Sequence, residues 1–498
     1  MRVRTLAAAV AVAAASVGLS PSLVPTASAA TSAADDFNGD GVADLVVATP
    51  KAPVSGYPGA GSITVLQRST DGDSPVRSLT LTQDSPGVPG DPWSYEGFGS
   101  TYATGDLDAD GYTDLVVGAP GDRVPNSSSY GTLTVLWGSA TGLTGDGITI
   151  ASPLAYSQWD AEKDFGKKVV VADLDGDGTP QLATLSRNKL WVYDDLAGRT
   201  APMGARYAED YYAYIEPRTL TAADFTGTGR AQLVVTGPEN CGGTTGGCQA
   251  TTVYTWGADQ LDEVSVADPG ADASGANEAP TVAAAAGDVD HDGYADLVTG
   301  HVPASAATTG EYSDAAGFVH VRYGSPEGLG AHRTATLDQD TSGVPGANEP
   351  GDNFGASVAV GDVTGDGYAD VVVGVPGETA GGASQSGAVT LLKGTATGLT
   401  GTGAQAFDQS TKGVPSTAEP DDWFGSAVRV ADLDGNGAAD VTIAAKGEDV
   451  FSGSTRDGAD WVLPGSASGL TTTAALSFSG RDFGFTHPDA EFGSVLGT

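Results

Sequence analysis

The sequence predicts an all-β protein: a seven-bladed β-propeller of four-stranded antiparallel blades, its ring closed by the C-terminal strand. Three observations carry this expectation. An aspartate-rich turn followed by an apolar run recurs at Asp36, Asp106, Asp173, Asp224, Asp288, Asp362 and Asp432, at spacings of 70, 67, 51, 64, 74 and 70 residues, and self-similarity on that scale marks a repeat architecture. Seventy-two glycines and 27 prolines punctuate short runs of Val, Leu, Ile and Thr, the pattern of many short strands and tight turns. The repeats show no helical periodicity.

The N-terminus comes first. Arg2 and Arg4 precede an apolar run from Leu6 to Leu19, and the small residues of "TASAA" end at Ala30. Residues 1–30 therefore read as a secretory signal peptide and 31–498 as the propeller. The apolar run covers 14 residues, too few to span a bilayer. A secreted, extracellular protein with no membrane insertion is expected.

The second copy shows what each repeat contains. From Phe98, "STYAT" alternates as a strand, "DLDADGYTD" turns the chain, "LVVGAP" and "GTLTVLWG" are the next two strands, and "ITIAS" is the fourth. Such a sheet has two apolar faces and cannot bury both alone, so neighbouring copies must stack, and seven suffice to close a ring. "GFVHVRYGSPEGLG" from Gly317, "GAVTLLKGTATGLT" from Gly387 and "WVLPGSASGLT" from Trp461 keep the same register. A Phe-Gly pair stands eight residues before the first aspartate in four copies, at Phe98, Phe165, Phe354 and Phe424. The first copy lacks the pair, and "EFGSVLGT" from Glu491 to Thr498 supplies it. The C-terminal strand is thus expected to complete the first blade and to cover an edge that would otherwise stay unpaired.

Phe-Gly, an aspartate-rich loop and a strand ending in Gly-Ala-Pro at Gly118-Ala119-Pro120, with variants such as Gly374-Val375-Pro376 in other copies, resemble the FG-GAP repeats of the integrin alpha-subunit propeller and of related bacterial secreted proteins. The resemblance implies seven blades with calcium in the hairpin loops between the first two strands of several of them. Glu216-Pro217 and Pro280-Thr281 stand where the fourth and fifth copies would carry Phe-Gly.

The aspartates themselves point to the same ion. Carboxylates at loop positions 1, 3, 5 and 9, with glycine at 6, converge on one point when the chain turns sharply, and a hard divalent cation with six to eight oxygen ligands resolves their repulsion. Ca2+ fits best. The expected ligands are Asp36, Asn38, Asp40 and Asp44; Asp106, Asp108, Asp110 and Asp114, with the Tyr112 carbonyl; Asp288, Asp290, Asp292 and Asp296; and Asp432, Asp434, Asn436 and Asp440. The sixth copy has Thr364 among Asp362, Asp366 and Asp370. In the third, Gln181 replaces the last carboxylate beside Asp173, Asp175 and Asp177, so weaker binding is expected. The fourth keeps Asp224 but offers Thr226, Thr228 and Gln232, and no calcium is expected there. A helix-flanked calcium loop would need Glu at position 12, where Val47, Val117, Thr299 and Ile443 stand. The ions are read as structural, because catalysis needs an open coordination position.

Charge and motifs narrow the function. Sixty-three acids against 23 bases give a net charge of −40, which argues against nucleic acid and anionic membranes as partners. Cys241 and Cys248, in "CGGTTGGC", are expected to form a disulfide after export. Nucleophile-elbow, zinc-protease and phosphate-loop motifs are missing, and His291, His301, His320, His332 and His487 do not cluster in sequence. The chain is therefore read as a non-enzyme. Trp93, Tyr95, Trp423 and the group Tyr207, Tyr211, Tyr212 and Tyr214 are candidate ligand contacts, with packing between blades the plainer role for the tryptophans. The leading function is non-catalytic extracellular recognition or adhesion toward a protein partner. A carbohydrate-binding propeller is second and a secreted hydrolase third.

Overall fold

Short β-branched runs bounded by glycine and aspartate give strands and little else. The computed structural model describes residues 35–67, 77–124, 130–153, 163–187, 189–194, 196–202, 204–209, 217–239, 248–258, 260–265, 281–302, 316–451, 456–485 and 489–497. The expected signal peptide, Cys241, Glu216, Pro280, Tyr211, Tyr212, Tyr214 and His487 lie outside them, and the side chains of Tyr207 and Cys248 are likewise not described. Seven antiparallel sheets follow one another in chain order, each a meander, as expected for seven blades. Blade 2 is representative, with strands Thr101–Gly105, Asp114–Arg123, Tyr130–Leu136 and Gly147–Ala151. Blade 7 ends the series with Phe424–Ala431, Asp440–Ala445, Ala459–Leu463 and Leu476–Ser479.

Blade 1 has three strands of its own, Leu45–Thr49, Ser62–Gln67 and Arg77–Leu81. The C-terminal segment meets the free edge of Leu45–Thr49 through one antiparallel bridge between Ala48 and Val495, with the Ala48 N–H donating to the Val495 carbonyl at 3.0 Å. The closing strand is thus present as a short clasp.

Burial follows the stacking logic. Seven apolar clusters each span one pair of neighbouring blades. The one that closes the ring joins Leu45 and Val47 of blade 1 to Ala444 and Val462 of blade 7 and to Phe492 and Leu496. Phe98, Phe165, Phe354, Phe424 and Phe492 are all buried at these joints. Each phenylalanine locks onto the blade before it: the N–H groups of Phe354 and Phe424 donate to the carbonyls of Ala316 and Ser386 at 2.8 and 2.9 Å. The glycine after that carbonyl, Gly317 or Gly387, has no room for a side chain, because a Cβ would stand 2.3 or 2.2 Å from the phenylalanine's own carbonyl oxygen.

The innermost strands surround an axial cavity of about 290 Å³, lined by small residues such as Ala103, Thr221, Ala285 and Val358, with Arg429 the charged side chain among them. Arg429 ties the ring together. It donates to the carboxylate of Asp35 and, at 3.0 Å, to the carbonyl of Leu496. The Tyr102 hydroxyl joins the knot by donating to the Val46 carbonyl at 2.8 Å, and Thr104 reaches Asp35 at 2.6 Å.

Candidate metal centres

The aspartate loops connect the first and second strands of the blades and therefore share one face of the ring. Position 2 anchors each loop: Phe37, Leu107, Leu174, Phe225, Val289, Val363 and Leu433 are all buried between blades, a signal present in the sequence but hidden beside the aspartates. The position 1 carboxylate then folds the turn by accepting backbone N–H groups. Asp106 takes those of Asp110 and Gly111 at 3.1 and 2.9 Å, and Asp432 takes those of Gly435, Asn436 and Gly437 at 2.8, 3.1 and 2.9 Å.

In four loops three carboxylates converge. One oxygen from each of Asp106, Asp108 and Asp114 lies within 4.8 Å of the others, and the same holds for Asp173, Asp175 and Asp177, for Asp288, Asp290 and Asp296, and for Asp432, Asp434 and Asp440. Asp110 and Asp292 stand outside these triplets but inside the same turns, each accepting from the residue two further on, Tyr112 and Tyr294, at 3.0 and 3.1 Å. In the first loop Asp36 accepts from Gly39, Asp40 and Gly41 at 2.7, 3.1 and 2.8 Å, with Asn38 and Asp40 turned in by contacts to Asp40 N and Val42 N at 2.9 and 3.0 Å. In the sixth, Thr364 places its hydroxyl 3.4 Å from Asp362 and its N–H 3.0 Å from Asp370, while Asp366 accepts from Tyr368 at 3.1 Å.

Position 9 carries a second duty that sequence reasoning missed. Asp114 accepts the N–H of Leu107 at one oxygen and of Gly138 at the other, both at 2.9 Å; Asp296 does the same with Val289 and Gly324. It clips the loop to the far end of the third strand. Gln181 keeps the first half of the clip, its Oε1 accepting from Leu174 at 2.6 Å, and Gln232 accepts from Phe225 at 2.9 Å. These glutamines preserve the turn where the charge is gone.

The donor set fits a hard divalent cation. The converging oxygens are carboxylate oxygens, and Asp290 Oδ1 is buried with no hydrogen-bond donor. Without a cation, burial pushes Asp114 and Asp296 up to about 7 and Asp370 up to about 6. In each case backbone N–H groups oppose that rise and a neighbouring loop aspartate adds to it.

The opposite face holds a second acidic pattern, written in the sequence three times around Gly-Val-Pro. Gln339 donates to Glu378 at 2.8 Å beside Asp352, Gln409 donates to Glu448 at 2.6 Å beside Asp422, and Gln83, Glu96 and Asp122 form the copy between blades 1 and 2. Burial first, and then the neighbouring acid, raises Glu96 to about 8. Asp422 rises to about 7 and Asp352 to about 6 for the same first reason.

The described histidines each meet a local partner. His301 stacks on Phe318 at 4.7 Å, His320 meets Thr336 at 2.9 Å, His332 meets Glu327 at 3.0 Å, and His291 lies 5.6 Å from the Tyr368 ring. The expectation that Trp93 packs between blades is corrected: it is 47% exposed and Tyr95 76%, because the Gly-Val-Pro loop carries them out beside Tyr57, 6.1 Å from Trp93. Trp423 is half-buried under two cations, Lys446 at 5.3 Å and Arg456 at 4.8 Å.

Comparison with known proteins places these features. The FG-GAP repeat family matches residues 28–66, 98–136, 281–321 and 354–392. Phosphatidylinositol-glycan-specific phospholipase D of Mus musculus is 30% identical over 183 residues, which are 34% of this chain and 20% of that protein. The Homo sapiens protein of the same name is 31% identical over 147 residues, 30% of this chain and 17% of that one. The chain thus spans about a fifth of the length of these relatives. A solved structure described as the Dos1 propeller aligns with 72% of this chain and 67% of its own at 11% identity and a TM-score of 0.38. No helix among the described residues is long and apolar enough to cross a membrane.

Proposed function

With the chain an FG-GAP repeat β-propeller, we propose that it is a secreted, calcium-stabilised, non-catalytic recognition module that presents its loops to an extracellular protein. The observation that carries this reading is the convergence of three carboxylates in each of four hairpin loops on one face. Calcium there would be held by the loop aspartates and the position 7 carbonyl, and would do for each hairpin what a helix cap or disulfide does elsewhere. The charge of −40 favours a partner with a basic surface over nucleic acid or an anionic bilayer. We propose no hydrolase activity: beside alanine, valine and threonine the axial cavity presents Arg429, which is already tied to Asp35 and to the Leu496 carbonyl. The chain matches only about a fifth of the length of the phospholipase relatives, and the activity in their name is not carried over to it.

A carbohydrate ligand is the second reading, favoured by the exposed group Tyr57, Trp93 and Tyr95. Rings held in pairs at a loop tip suit the apolar face of a sugar. Binding on a glycan array, lost in Trp93→Ala, would put this reading ahead of the first.

The deciding experiment is calorimetric titration of the chelator-treated protein with calcium, joined to melting with and without the ion. Five or six sites and a higher melting temperature are expected. No binding at millimolar calcium would end the metal reading.

A further inference from the structure

The six loops expected to bind metal are not equally charged. The second has four aspartates, Asp106, Asp108, Asp110 and Asp114, and so does the fifth, with Asp288, Asp290, Asp292 and Asp296; the first, third, sixth and seventh have three each. Among the described residues, the two richest loops are the ones whose carboxylates form an ion pair with an arginine. Arg199 donates to the carboxylate of Asp108 and, at 2.6 Å, to that of Asp110. Arg333 donates to Asp290.

Both arginines are held by the same device, although they arrive from different places. Arg199 lies on the connection before the Arg206–Glu209 strand of blade 3, whereas Arg333 immediately precedes the Thr334–Leu337 strand of blade 5. The Arg199 guanidinium lies 5.2 Å from the Trp137 ring and that of Arg333 3.4 Å from the Tyr323 ring. Trp137 and Tyr323 occupy one register position, directly before the glycine whose N–H clips Asp114 or Asp296. In blades 6 and 7 that position holds Lys393 and Pro464, and Lys393 turns away to the Ser468 carbonyl at 3.2 Å. An aromatic shelf is therefore present beside the two loops that take an arginine and missing beside two that do not.

We infer that Arg199 and Arg333 are tethered counter-ions that bring both four-aspartate loops to the same net charge of −3 as the others, holding them folded without metal and lowering their affinity for it. The inference rests on the metal reading above. A guanidinium shared between the carboxylates and a ring face keeps its planar donors fixed, so its charge stays in the loop while a divalent ion enters. Six loops of matched charge would then fill over a similar range of calcium concentration.

The test uses the full chain, treated with chelator, as Arg199→Met and Arg333→Met. Removing a unit charge a few ångströms from the ion is expected to tighten one site in each variant by about tenfold or more. The melting temperature is expected to fall without metal and to return with saturating calcium. Lys393→Met, beside a three-aspartate loop, should change neither. Unchanged or weaker calcium binding in both arginine variants overturns the inference. If the parent protein binds no calcium, the metal reading has failed and the metal-free melt alone decides: a fall upholds the counter-ion role, and no fall rejects it. If a methionine variant does not fold, Arg199→Lys, with the charge but not the fork, should show an intermediate gain in affinity, and no gain counts against the role.

Discussion

At the scale of single residues, burial holds several acids of this protein well above the usual carboxylate range. Glu96, Asp352 and Asp422, raised to about 8, 6 and 7, titrate near 4 in an unfolded chain. Between about pH 4 and pH 8 the folded form therefore holds more protons, and stability falls as pH rises through that window. Asp114, Asp296 and Asp370 act in the same direction only while calcium is absent. Melting in chelator should show a higher midpoint at pH 5 than at pH 8, and calcium should shrink or reverse the difference. A midpoint rising with pH in chelator would contradict this account. Asp and Gly spacing made the loop positions legible in the sequence. The clip made by position 9 was not, since its partners Gly138 and Gly324 lie 24 and 28 residues away. The arginines were hidden for the same reason: nothing near Arg199 in sequence points to Asp108, 91 residues earlier.

At the scale of strands and joints, the unit of stability is one phenylalanine seated on the glycine of the preceding blade. Gly387→Ala should be costly, because the new methyl would stand 2.2 Å from the Phe424 carbonyl in a backbone with φ of +86°; overpacking and the left-handed conformation together suggest about 2–4 kcal/mol. Gly382→Ala, with φ of +88° and open space around it, should carry only the conformational part, about 1–2 kcal/mol. Equal losses in denaturant melts would show that the joint is not the tight point. The Phe-Gly pairs were legible by their fixed offset from the aspartates. Their glycine partners were visible only as the first residue of each third strand, with nothing local to say what they meet. Trp93 misled in the opposite sense: a large aromatic near Phe-Gly reads as core, yet turn geometry decides its exposure.

At the scale of the whole ring, among the described residues six blades own four strands and the first owns three. Removing residues 491–498 should bare Leu45, Val47 and Val462 and leave the Leu45–Thr49 edge open. We expect a lower melting temperature and association detectable by size-exclusion chromatography; a monomer of unchanged stability would show that the clasp is dispensable. Seven repeats and the terminal Phe-Gly made closure legible, whereas the Arg429 knot joins Asp35 to Leu496 across nearly the whole chain and left no local trace. That knot has a mechanical consequence. Residues at both ends of the ring are gripped by one arginine, so tension applied through either end is delivered to the same seam, while the other six joints lie outside its path. Under force the propeller would behave as a hoop with a single buckle, parting first at Ala48 and Val495.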